Sequence, residues 1–123
     1  MKKELSGDNG QLLLRIAREK ILREFGYENE DLDGLCRQLE SWVLTEERGV
    51  FVTLHRKSGD LRGCIGNIEP VKPLIEGVQD NARHAAFHDS RFHPLAFEEL
   101  EDTVIEISIL SRPEKIQYTD TDD

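Results

Sequence analysis

The stretch from Val50 to Ile68 constrains the fold most. Val50 to Arg56 and Leu61 to Ile68 are β-rich runs, and Lys57-Ser58-Gly59-Asp60 between them has the composition of a turn, so the stretch reads as an antiparallel hairpin. A two-residue Ser58-Gly59 turn and a four-residue Lys57–Asp60 loop imply one register, in which paired residue numbers sum to 117. Val52 then faces Ile65, Leu54 faces Gly63, Thr53 faces Cys64, Phe51 faces Gly66 and His55 faces Arg62. Side chains alternate along a strand, so one face is apolar and the other carries His55, Thr53, Arg62 and Cys64. Both strands agree on that division, and a slip of one residue would destroy the agreement.

Around this hairpin the chain offers helices and one more strand. Asp8 followed by Gln11 resembles a capping box, opening a helix that runs to Phe25 with Gly26 as its stop. Leu12, Leu13, Ile16, Ile21 and Phe25 form its apolar side, with Arg15, Arg18, Glu19 and Arg23 opposite. Residues 28–48 read as a loop with one irregular turn. Pro70 and Pro73 precede a second helix over 72–88, with Leu74, Val78, Ala82 and Ala85 as its core stripe. Residues 89–94 form a connector, and 97–101 a single helical turn. Thr103 to Ser111 alternates as a strand that Pro113 ends, and residues 118–123 read as an acidic, frayed end.

A chain of 123 residues with 37% hydrophobic residues supports one domain, over residues 1–123, with a modest core. Its 16 basic and 25 acidic residues give a formal charge of −9, which disfavours nucleic acid and anionic membranes as partners. No apolar run approaches the roughly 18 residues needed to span a bilayer, and the first residues do not form a signal peptide. Cys36 and Cys64 match no zinc or CxxC spacing, so a cytoplasmic protein with two free thiols is the simplest account.

The chemistry concentrates in Leu61-Arg62-Gly63-Cys64-Ile65-Gly66. A cation beside a thiol favours the thiolate, the nucleophilic form, so Arg62 would activate Cys64 while His55, across the hairpin, serves as base. Gly63 and Gly66 remove bulk and let a ligand or another backbone approach. The competing reading makes Cys64 a packing residue and the glycines points of close strand contact. Arg91 suits a carboxylate or phosphate ligand, or pairs with Asp89. Asn81 fits a ligand contact less well than a buried amide fixing nearby backbone. Asp80, His84 and His88 repeat at four-residue spacing, with His93 beyond, yet a solvated polar ladder explains them better than a metal site, and no metal is expected.

The runs Gly49-Val50-Phe51-Val52-Thr53-Leu54, Leu61 to Gly66, Glu69-Pro70, Asn81-Ala82, Ala85-Ala86-Phe87, Asp89, Arg91-Phe92, Pro94-Leu95 and Ile107 to Ser111 with Pro113 resemble the AMMECR family. The resemblance covers about residues 10 to 117. It implies an α+β fold with two main helices and a mixed, partly barrel-like sheet. Family domains continue beyond this length, so the chain resembles the fold without its C-terminal part, and an exposed sheet edge through which copies associate is expected. The resemblance also implies Memo-like and radical SAM partners. Three functions stay open: a thiol-dependent small-molecule enzyme or enzyme component acting through Cys64, Arg62 and His55; a non-catalytic adaptor; and a module binding a small anion at Arg62 and Arg91, with Gly63, Gly66, Asn81 and Asp89 shaping the ligand site.

Overall fold

A computed structural model describes residues 7–110 and 115–120 of the chain. Helix α1 (Gly7–Arg23) is followed by α2 (Leu32–Arg37) and α3 (Ser41–Thr45), then by strands β1 (Val50–Arg56) and β2 (Leu61–Asn67). Helix α4 (Leu74–Phe87), a 3₁₀ turn (Phe97–Asp102), β3 (Thr103–Leu110) and β4 (Lys115–Thr119) complete the order. The strands make one four-stranded sheet in the order β2-β1-β3-β4. The class is α+β, as expected. All three pairings are antiparallel, where the family resemblance implied a mixed sheet.

One face of the sheet is apolar and covered. Val50, Val52 and Leu54 of β1 and Ile105, Ile107 and Ile109 of β3 are buried beneath α1 and α4. From α1 come Leu12, Leu13, Ile16 and Ile21, and from α4 Leu74, Val78, Ala82 and Ala85, as the helical spacing predicts. The alternate residues Phe51, Thr53, His55, Cys64, Val104 and Glu106 lie on the other face and are only half-buried.

The hairpin register holds from Val50↔Asn67 to Leu54↔Gly63. It then slips: His55 pairs with Leu61 rather than with Arg62, at a β-bulge. The extra residue re-aims a side chain, which is what bulges do. Here Arg62 turns into a buried ion pair with Glu99 of the 3₁₀ turn, 2.7 Å away, and does not oppose His55.

Other expectations need correction. Residues 28–48 hold two short helices, because Leu35, Leu39 and Val43 recur at one-turn spacing and are buried in the core. Asp8 lies in the first turn of α1 rather than ahead of it. Two residues assigned to that helix's polar side face inward. Glu19 is buried and accepts the backbone amide hydrogens of Asn29 (3.0 Å) and Glu30 (3.0 Å), closing the chain reversal after α1. Arg18 donates to the carbonyls of Leu100 and Thr103 and to Asp120, tying α1 to the sheet. Residues 115–119, which include part of the stretch read as frayed, form β4 and pair with β3. The ring of Tyr118 lies over Gly10 of α1, where any side chain on the glycine would collide with it. Residues 121–123 lie outside the described residues, as does Ser111 at the end of the predicted strand.

Candidate functional site

Strand β2 is an edge of the sheet, so one side of its backbone has no neighbouring strand. At Cys64 the connector after α4 takes that role. Asp89 accepts the Cys64 amide hydrogen at 3.0 Å, and the Arg91 guanidinium reaches the Cys64 carbonyl at 3.4 Å. Both backbone groups of Cys64 therefore point away from β1, and Thr53↔Cys64 is a pair without ladder hydrogen bonds, whose side chains come closest. Thr53 Oγ1 and Cys64 Sγ are 3.2 Å apart, and the thiol is half-buried on the uncovered face.

Asp89 is buried and holds Arg91 through both carboxylate oxygens, at 3.0 and 2.7 Å, and also accepts the Arg91 amide hydrogen. The Arg91 guanidinium beside it keeps the Asp89 carboxyl well below the usual carboxylate range, outweighing burial. The cation that touches Cys64 is thus Arg91, through the backbone carbonyl. Arg62, expected in that role, directs Nε and Nη2 to the two oxygens of Glu99, and Nη2 also to the His93 carbonyl at 2.9 Å. Glu99 is held down to about 2 by Arg62 first, with help from the Ala96 amide. Arg56 stands 3.5 Å from the same carboxylate.

His55 lies farther along the uncovered face. Its Nε2 is 4.0 Å from Glu106 Oε1, while its Nδ1 is buried with no hydrogen-bond partner among the described residues. Among the described residues the Cys64 hydrogen bonds outside the ladder go to Thr53, Asp89 and Arg91, and none joins the thiol to His55. The other thiol, Cys36, sits on α2, where burial and then Asp33 push its pKa up.

The remaining expected residues are placed as follows. Gly63 faces the Ala85 carbonyl of α4 so closely that no Cβ fits, and Gly66 faces the Phe51 ring. The space that both glycines open is filled by the protein itself. Asn81 is buried, and its amide nitrogen donates to the Val50 carbonyl and to Asn67, fixing α4 to the hairpin. The His84 and His88 rings meet edge to face at 5.6 Å, and Asp80 pairs with Lys72. Among the described residues no group of three or more His, Cys, Asp or Glu side chains is placed to hold a metal ion.

Four residues of the site were missed in the sequence: Arg56, Phe92, Glu99 and Glu106. Glu106 was legible, since it alternates onto the same face as Thr53 and pairs with it across β1 and β3. No local pattern marks Glu99, whose partner lies 37 positions away.

Residues 14–122 match the sequence profile of the AMMECR1 family. A protein of Methanothermobacter thermautotrophicus is 45% identical over 118 residues, covering 92% of this chain and 57% of its own length. One of Sulfolobus acidocaldarius is 41% identical over 120 residues, covering 95% of this chain and 51% of its own. The crystal structure of an uncharacterised protein from Pyrococcus horikoshii superimposes with a TM-score of 0.74 at 35% identity, over 89% of this chain and 55% of that one. The chain spans about half the length of the relatives it matches. No described helix is long and apolar enough to cross a membrane.

Proposed function

The chain belongs to the AMMECR1 family, and from that premise we propose that it acts as a thiol-dependent small-molecule enzyme or enzyme component whose nucleophile is Cys64. One observation carries the reading: Cys64 is half-buried on the uncovered sheet face, its Sγ lies 3.2 Å from the Thr53 hydroxyl, and the Arg91 guanidinium reaches its backbone carbonyl. A hydroxyl within hydrogen-bond distance of the sulfur and a guanidinium bound to the same residue's backbone are surroundings that suit a nucleophilic cysteine. Asp89 contributes by positioning, since it holds Arg91 and the Cys64 backbone together. His55 and Glu106 would act on a bound substrate farther along the face, and Arg62 on its charged end. We place this chemistry in the cytoplasm, where free thiols stay reduced. Memo-like and radical SAM partners belong to the same proposal and rest on family resemblance.

The test uses the second thiol as an internal reference. Cys36 is also half-buried, and its pKa is raised, so iodoacetamide should label Cys64 faster than Cys36 near neutral pH. Equal rates, or a Cys64 that reacts only after unfolding, would count against the enzyme reading.

One observation favours an adaptor as a second reading. Tyr27 and Phe97 stack with ring centroids 4.8 Å apart while remaining 55% and 43% exposed. Aromatic pairs left in water suit a protein contact. Substitution of both by Ser should abolish association with a docked partner and leave Cys64 labelling unchanged.

A further inference from the structure

An open cleft of about 370 Å³ is lined by Arg56, Arg62, Ser90, Arg91, Phe92 and His93, with Glu99 at its wall. Three guanidiniums line it, from the end of β1, from β2 and from the connector. Among the described residues the one carboxylate in the lining is that of Glu99, which binds Arg62 and draws in Arg56. Asp89, behind the lining, pairs with Arg91, so the cluster keeps one positive charge in excess, on a chain of net charge −9.

Two features make it a built site rather than a chance cluster. Arg62 is 4% exposed, and its Nη1 has no hydrogen-bond partner among the described residues, although Nε and Nη2 are engaged. A buried donor on a permanent cation is costly to leave unpaired. The Phe92 ring, moreover, carries two guanidiniums, Arg62 at 5.8 Å and Arg91 at 5.4 Å from its centroid. Stacking on a ring pinned between them limits the freedom of both cations before any ligand arrives.

We propose that this cleft binds a phosphate-type oxyanion, the anionic group of a small phosphorylated ligand, through Arg62 Nη1 and the guanidiniums of Arg56 and Arg91. A tetrahedral oxyanion can accept from donors arriving from several directions, which suits three arginines on three segments better than a planar carboxylate does. The Arg62–Glu99 pair serves as the floor of the site and Arg56 as its exposed rim. The site shares the Arg91 and Arg62 guanidiniums with the thiol reading, but it is argued from the unpaired Arg62 donor and the Phe92 stacking and does not depend on the chemistry of Cys64.

The probe is inorganic pyrophosphate, titrated at constant ionic strength against arginine side-chain and backbone amide NMR signals, with inorganic phosphate and acetate as parallel arms. Saturable shifts at Arg56, Arg62, Arg91 and the 90–93 amides are expected with pyrophosphate and phosphate, and weaker ones with acetate. Arg56→Ala, at an exposed position that leaves the Arg62–Glu99 pair in place, should weaken pyrophosphate binding about tenfold. Arg37→Ala, on the exposed surface of α2, should leave it unchanged. Shifts that never saturate, or equal losses from Arg37→Ala and Arg56→Ala, would mean screening of surface charge and would overturn the site. Stronger shifts with acetate than with phosphate would overturn the ligand class. Cys64→Ser should bind pyrophosphate as the parent does, so failure of the thiol chemistry and failure of this site are read separately.

Discussion

Asp89 accepts the backbone amide hydrogen of Cys64 at 3.0 Å across the outer edge of β2. One buried carboxylate thereby does at this position what another strand would do, and it fixes Arg91 in the same stroke. Loss of a buried, charge-assisted hydrogen bond leaves the amide unpaired. Asp89→Ala should lower stability by about 2 kcal/mol, read from urea denaturation, and should speed hydrogen exchange at the Cys64 amide. An unchanged exchange rate would show that the connector does not protect this edge.

Gly63 is the point of closest approach between β2 and α4. A methyl group there meets the backbone carbonyl of Ala85, which cannot rotate out of the way. Gly63→Ala should therefore cost about 1–3 kcal/mol, and the glycine is required by packing whatever the neighbouring thiol does. A melting temperature equal to that of the parent would contradict this account of the strand–helix contact.

Glu99 makes stability depend on acid. Its carboxyl lies at about 2 in the folded chain against an ordinary value of 4.5, because Arg62 binds the charged form. The unfolded chain therefore takes up this proton first as pH falls. The contribution is complete above about pH 4.5 and is lost as pH drops towards 2. Asp89 is depressed for the same kind of reason and acts in the same direction at lower pH. Thermal melts between pH 5 and 2 should show Glu99→Gln less stable than the parent at pH 5, with the gap closing as the pH falls. A constant gap would mean that the pair contributes through shape rather than charge.

The sequence made the sheet's central logic visible because period-two alternation is local. Val52, Leu54 and Ile107 could be assigned to the buried face without knowing what covered them, and Thr53 opposite Cys64 followed from turn length. It was silent where a side chain answers a distant residue. At the bulge Arg62 does not oppose His55 but binds Glu99, and the cation that reaches the Cys64 carbonyl arrives on a connector 27 positions later. Arg18 and Glu19 read as solvent-facing for the same reason: their partners are backbone groups of other segments, which no helical periodicity can announce. The two short helices before β1 were legible in principle, since Leu35, Leu39 and Val43 keep a one-turn spacing.

The central claim is that Arg91 and Thr53 make Cys64 a reactive thiol, and the rate of Cys64 alkylation in matched variants tests it most directly. Iodoacetamide labelling at neutral pH, followed residue by residue by mass spectrometry, should slow severalfold at Cys64 in Arg91→Ala and in the isosteric Thr53→Val. The Cys36 rate should stay constant as the internal clock. If Cys64 instead reacts equally fast or faster when Arg91 is removed, the arginine only shields a packing cysteine, and the thiol-dependent function proposed for this chain is wrong.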